Sequence, residues 1–476
     1  MNPSSTPTLA RRDWLKATSL GAAATLFGTA ARAASGTPQE QKTVKGVVFL
    51  VSDGMSPGVF TLAEAFSQNT RKKGTSWWQL WSEPTAARGL MDTAAANSLV
   101  TDSAAAASAW GGGVRVNNGA INIDPAGKRI EPISTALKKH SVKLGLVTTT
   151  RLTHATPAGF ATAVANRGQE DAIAEQYLDQ ADILLGGGTG HFHKDHRRDG
   201  KDLFAEFKKT GHAVVHDRDA LLASREPKIL GTFGDDHLPY HVDHQNQPVL
   251  KSLVPTLAEM TTAALDRLLA ADAPFLLMVE GGRIDHAAHL NCVAGVLGDQ
   301  IAFDDAVAAT LAKTAARNDI LVIVTSDHGN ANPGLNGLGR SYELSNQAFD
   351  RVSKLKLSHE QFFRGWAREK GGRSPADFKA HIEAHLHFSP TPKELEALHH
   401  AFETRKAEDW NHQHRNWEGL LGQILGNHTG IGWSGNSHTS DPTLVSATGP
   451  GAHRFNGLVT NTDVNRHLRE LLLPNA

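Results

Sequence analysis

A three-layer α/β/α sandwich around a central, mostly parallel sheet, carrying a long helical insertion, is the fold class this sequence predicts. Three observations point to it. Five short apolar runs rich in β-branched residues are continuous rather than alternating, as expected of strands buried on both faces of a parallel sheet. Helical patterns fill the gaps between them, and repeated strand, helix, strand order argues an α/β sandwich. The chemically informative residues fall directly after the runs, at the strand ends where open α/β sheets bind ligands. The length of 476 residues suits one large α/β domain with insertions, or two or three smaller ones.

Taken in order, the chain opens with Arg11 and Arg12, then Asp13-Trp14-Leu15-Lys16 and the small apolar run SLGAAATLFGTA. This reads as a twin-arginine export signal over residues 1–33, with an A-x-A cleavage site after Ala33. Its apolar core is too short to span a bilayer, and no later stretch approaches the roughly 20 apolar residues a span requires. The expectation is a periplasmic or secreted protein with no transmembrane anchor. A single cysteine, Cys292, allows no internal disulfide, which fits folding before export. The net charge of −1 leaves no basic face for nucleic acid.

The folded domain is expected over residues 41–476. Its strands are VKGVVFLVSDG from Val44, VKLGLVTTT from Val142, ADILLGGG from Ala181, APFLLMVEGG from Ala273 and DILVIVTSDHG from Asp319. Helices are expected in LVPTLAEMTTAALDRLLA from Leu253 and QIAFDDAVAATLAKTAAR from Gln300. Residues 335–433 are polar, His-rich and Trp-bearing (Trp366, Trp410, Trp417, Trp433) and read as a helical insertion, a lid or a dimerisation element, because strand-like sequence resumes at DPTLVSATGP. Its tryptophans suit either core contacts or stacking on an aromatic leaving group.

The 25 histidines, several grouped with Asp, suggest transition metals. In VEGGRIDHAAHL, Asp285 and His289 are four positions apart, which on a helix puts a carboxylate and an imidazole on one face. Such pairs also occur as ordinary surface contacts. Asp327 and His328 in VTSDHGN, Asp53 in VSDGM and His438 in NSHTSD are further metal-type groups at the same expected sheet edge. Ser103 in TDSAAAASAWGGG has two readings: a helix N-cap, or a nucleophile beside the positive end of a helix that favours an anion. Zinc on its oxygen would make it an alkoxide near neutral pH, so no histidine base is needed. The alanines suit close packing of that helix beneath the site, and the glycines a turn away from it.

The order VSDGM, TDSAAAASAW, HATPAG, VEGGRIDHAAH, TSDHG and NSHT, from about Val44 to Asp463 apart from the insertion, resembles the metal-dependent alkaline phosphatases. The resemblance implies that Ser103 becomes phosphorylated. It implies that Asp285, His289 and His438 hold a zinc that activates water and carries the leaving group, and that Asp327, His328 and Asp53 hold the zinc that activates Ser103. Asp53, Thr156 and Glu280 would complete a third, oxygen-rich position, usually magnesium. Arg167, in VANRGQED, matches the arginine that clamps the phosphate, with a planar fork suited to two oxygens. His154 and His286 depart from the Asp and Lys of some bacterial members and resemble the animal-type pair. His154 would lie beside the third metal, putting Mg²⁺ there in doubt against Zn²⁺ or another divalent ion, and His286 near the phosphate. The implied substrates are small phosphate monoesters, with inorganic phosphate as product; homodimer and monomer both stay open. The competing readings are a phosphodiesterase of the same superfamily and a non-catalytic metal- or phosphate-binding protein. A sulfatase needs a C/S-x-P-x-R motif that this stretch lacks.

Overall fold

The computed structural model describes residues 44–339, 342–368, 374–406 and 412–473. The export signal and Trp410 lie outside the described residues. Ten strands form the main sheet: β1 (Gly46–Ser52), β2 (Ala87–Asp92), β3 (Lys143–Arg151), β4 (Ile183–Gly187), β5 (Ala213–Val215), β6 (Ile229–Thr232), β7 (Phe275–Gly281), β8 (Ile320–Thr325), β9 (Thr443–Thr448) and β10 (Gly457–Thr460). Their spatial order is β10-β2-β9-β8-β1-β7-β3-β4-β6-β5, and β9 alone runs antiparallel to its neighbours, β2 and β8.

Side chains of the central strands divide between two cores, which is what a sheet covered on both faces requires. Val48 and Leu50 of β1, Leu277 and Val279 of β7 and Val322 and Val324 of β8 enter one apolar cluster. Val47, Phe49 and Val51, Leu276 and Met278, and Leu321 and Ile323 enter the other. The period of two between faces, with both faces apolar, is the continuous run seen in the sequence. The five expected strands are all present, as β1, β3, β4, β7 and β8. Strand β2 reads differently because its residues alternate buried and exposed, and β5 and β6 have only three and four residues.

Six helices matter below: α1 (Ser103–Gly112), α2 (Ala155–Ala161), α3 (Leu257–Ala270), α4 (Arg283–His289), α5 (Val293–Thr314) and α6 (His359–Arg368). Helix α3 starts at a capping box, Thr256 with Glu259. Helix α5 begins at Val293, seven residues before the amphipathic pattern noticed in the sequence, because its first two turns are buried on most sides. Among the described residues of 335–433 lie α6 and four further helices, Leu344–Asp350, Pro375–Leu386, Pro392–Thr404 and Gly419–Thr429. Phe362, Phe363, Trp366, Phe378 and Phe402 of this segment belong to the same cluster as Val48 and Leu50, so it shares a core with the sheet. Trp366 is buried there and Trp417 packs against Phe363 at 5.0 Å.

Register places the site. Thr148, Glu280, Val51 and Thr325 form one row across β3, β7, β1 and β8. Asp53 lies two residues past Val51 and Asp327 two past Thr325, so both leave the sheet at its C-terminal edge on neighbouring strands.

Candidate active site

Asp102, not Ser103, is the N-cap of α1: its Oδ1 accepts from the Ala105 amide at 2.9 Å. That leaves Ser103 at the first helical position, 1% exposed, with its hydroxyl free to face the sheet edge. Helix α1 is buried almost all round, and α2 crosses it where Gly111 meets Gly159: a Cβ on Gly111 would stand 1.9 Å from the Gly159 carbonyl oxygen. The alanine run is therefore a packing solution that brings the N-terminus of α1 to the site. Gly113, at φ 75°, closes the helix in the left-handed region that glycine adopts freely.

Ser103 Oγ lies 3.2 Å from His328 Nε2. The same nitrogen is 3.2 Å from Asp327 Oδ2 and 3.6 Å from Asp53 Oδ1. A hydroxyl, an imidazole and two carboxylates thus converge on one point. The turn after β8 makes this possible: Asp327 Oδ1 accepts from the amides of Gly54 and His328, each at 3.0 Å, which turns Oδ2 inward. Gly329–Asn330 then pairs antiparallel with His438–Thr439, and this short ladder stacks the His328 and His438 rings with centroids 3.7 Å apart.

A second group adjoins the first. Asp285 Oδ2 is 3.3 Å from His289 Nε2, and Asp285 Oδ1 is 3.4 Å from His438 Nε2. The two Nε2 atoms are 3.1 Å apart. His289 Nδ1 donates to the Asn436 carbonyl at 2.7 Å and His438 Nδ1 to the Thr101 carbonyl at 2.8 Å. A carbonyl only accepts, so a neutral ring in either position carries its proton on Nδ1 and turns an Nε2 lone pair into the group. The i,i+4 pair of α4 thus meets His438 instead of standing as an isolated surface contact, and with a cation in place it would offer a donor set. Asn330 Nδ2 holds Asp285 Oδ1 at 2.7 Å.

The third group is Asp53, His154 and Glu280, beside Thr156 in the first turn of α2. Glu280 Oε2 accepts from Thr148 and, at 3.3 Å, from Thr150. Both Asp53 oxygens, Glu280 Oε1, Asp327 Oδ2, Thr156 Oγ1 and His154 Nδ1 are buried without a hydrogen-bond partner. Burial, then the facing Asp327, Asp285 and Glu280 carboxylates, push Asp53 well above the ordinary carboxylate range. Burial pushes Asp327 up to about 7 and raises Glu280 as well. Burial opposes charge on Asp285 too, yet His289 and His438 hold it well below the usual range, while His289 rises to about 9 on Asp285 against its own burial. Buried, mutually repelling carboxylates with unpartnered oxygens fit divalent cations, which would satisfy those atoms and offset their repulsion.

Arg167 lies at the rim of the third group. Its Nη1 donates to Asp102 Oδ2 at 3.1 Å and its Nη2 to His154 Nε2 at 2.8 Å. His286 faces His154 edge-on at 5.5 Å between ring centres. All twelve residues singled out in the sequence therefore come together at one sheet edge.

The sequence reading missed others. His237 stands 4.4 Å from the His286 ring and 5.6 Å from His154, making a cluster of three imidazoles; burial and Arg151 lower it to about 3. It follows the four-residue β6, and recognising that strand would have exposed it as another residue at the same edge. Arg283 and Asn330 were passed over because a lone Arg or Asn carries no spacing signal.

The alkaline phosphatase family model matches residues 44–473. Alkaline phosphatase 3 of Bacillus subtilis is 29% identical over 449 residues, covering 91% of this chain and 90% of that protein. The crystal structure of Thermus thermophilus alkaline phosphatase superposes with a TM-score of 0.84 at 33% identity, covering 93% of this chain and 95% of that one. A cold-active alkaline phosphatase from Shewanella sp. superposes with a TM-score of 0.75 at 26% identity, covering 90% and 99%. No described helix is long and apolar enough to cross a membrane. A match of fold and sequence over nearly the whole length shows that this chain belongs to the alkaline phosphatase family and is a phosphoric monoester hydrolase.

Proposed function

We propose that this protein is exported by the twin-arginine route and hydrolyses small phosphate monoesters through a phosphoserine on Ser103. The observation that carries this is the Ser103 hydroxyl, at the start of a buried helix and 3.2 Å from His328 Nε2, where Asp53 and Asp327 also converge. Asp285, His289 and His438 would hold one Zn²⁺, and Asp53, Asp327 and His328 a second; Asp53, Glu280 and Thr156 would hold a third divalent ion, with His154 beside it. Arg167 donates to His154 Nε2, so a neutral His154 carries its proton on Nδ1 and lies beside that ion without ligating it. Bound cations at these positions lower the pKa of the serine hydroxyl and neutralise phosphoryl charge.

In the first half-reaction the Ser103 hydroxyl gives up its proton and Oγ attacks phosphorus; the bond from phosphorus to the ester oxygen breaks, and the alcohol leaves after taking a proton from solvent. In the second, water adds to phosphorus, the bond to Oγ breaks, and inorganic phosphate departs as Ser103 regains its proton. Arg167, aimed by Asp102, and the first amides of α1 stabilise the non-bridging oxygens in both.

The test is hydrolysis of p-nitrophenyl phosphate and of its bis-ester, with and without chelator. Chelator-sensitive monoester cleavage is expected, with Ser103→Ala losing covalent ³²P incorporation and on the order of 10³-fold or more of kcat. Faster diester cleavage, or activity indifferent to chelator, refutes the reading. Export is checked separately: replacing Arg11 and Arg12 with Lys should leave unprocessed precursor in the cytoplasm, and undiminished export of the mature form rejects that route.

A further inference from the structure

The 335–433 segment reaches the site through a contact that the two half-reactions above do not use. Arg283 opens α4, three residues before His286, and its Nη1 donates to His286 Nδ1 at 2.8 Å. Its Nη2 donates to Glu360 Oε2 of α6 at 2.9 Å, and the guanidinium lies 3.8 Å over the Tyr240 ring. The Arg283 side chain is only 8% exposed.

We propose that Arg283, braced by Glu360, is a positioning residue that sets His286 as a hydrogen-bond donor to the substrate phosphate. The proposal rests on the phosphatase reading of the site. Arginine has donors and no acceptor, so the Nδ1 it meets must hold a lone pair. A neutral ring with an unprotonated Nδ1 carries its proton on Nε2, so this contact fixes the tautomer. The guanidinium itself cannot swing away: helix α4 holds its base, Tyr240 its flat face, and Glu360 its second nitrogen. His154, 5.5 Å from His286, takes its own bond from Arg167 at 2.8 Å, so the two imidazoles and the phosphate-clamping arginine frame one space. Without Arg283 the His286 ring is free to place its proton on Nδ1 and present a lone pair to an anion, which repels it. The inserted helix α6 thus acts on the phosphate site through Glu360 and Arg283.

The experiment measures kcat, KM for p-nitrophenyl phosphate and the inhibition constant of inorganic phosphate for metal-replete wild type and four variants. Arg283→Met should raise KM and the phosphate inhibition constant about tenfold, and Arg283→Lys, which keeps one donor, should recover part of that. Glu360→Gln should shift both constants in the same direction by about threefold, because a neutral acceptor braces the guanidinium less firmly. Arg364→Ala removes only the exposed bond to the other Glu360 oxygen, 3.0 Å long, and should leave all three constants unchanged. A purely structural role would lower kcat with the active fraction while KM and the phosphate constant stay fixed, and that result overturns the proposal. Should Arg283→Met not fold, Glu360→Gln decides on its own, and unchanged constants there refute the brace. An inactive wild type refutes the phosphatase reading and this role with it; an active wild type with insensitive variants refutes this role alone.

Discussion

Asp53, Asp285 and Asp327 show how far surroundings separate chemically equal groups. Asp285 faces two imidazoles and is held well below the usual range, Asp53 faces three carboxylates and is pushed well above it, and Asp327 sits at about 7. A buried aspartate also lies away from the centre. Asp299 on α5 is 4% exposed, accepts the His241 amide at 3.0 Å, and burial raises it to about 7. Its folded value is above the unfolded one, so its contribution to stability is fully present below the unfolded pKa and is lost as pH rises through the folded pKa. Asparagine keeps an acceptor and cannot ionise. Urea unfolding should therefore show Asp299→Asn gaining on the order of 2–3 kcal/mol over wild type between pH 5 and pH 9. No change in the difference between the two proteins would contradict a raised pKa at this position.

Among the elements, α1 joins the packing of the fold to its chemistry. The alanine run was legible as a close-packed helix and the serine as its start, but which residue caps it was not, since Asp and Ser are comparable caps. The structure separates the two roles: Asp102 takes the Ala105 amide on Oδ1, and the Gly119 amide and Arg167 on Oδ2. Asp102→Ala should lower stability by about 1 kcal/mol through the lost cap and weaken inorganic phosphate binding several-fold through a loosened Arg167. Asp102→Asn keeps an acceptor for the cap while losing the charge that pairs with Arg167, so its melting temperature should stay near wild type while phosphate binding still weakens. Equal phosphate affinity in all three proteins would show that Asp102 does not aim Arg167.

For the whole molecule, the donors come from segments far apart in the chain, after β1, β7 and β8, from the first turn of α2 and from the bridge at His438. Ions shared by these segments would bind the folded state and not the unfolded one, which would couple metal loading to stability. Dialysis against a chelator should lower the melting temperature by several degrees or more, with Zn²⁺ restoring it better than Mg²⁺. Calorimetry on the stripped and reloaded protein checks this, and a melting temperature indifferent to metal would contradict the assignment of all three groups.

The sequence by itself determined the class of fold and picked out most of the residues that converge at the candidate site, because both rest on local signals. Continuous apolar runs report burial on two faces, and Asp or His placed directly after such a run reports the sheet edge that binds ligands. Strands β2, β5 and β6 carried no comparable signal, one alternating in exposure and two too short for a pattern, and His237 was lost with them. Only the tertiary structure decided which side chains converge in each candidate ion site, which backbone or arginine group each ring nitrogen meets, and how Glu360 comes to contact Arg283 across 77 residues of chain. These are matters of distance and direction between groups remote in sequence, and packing sets both.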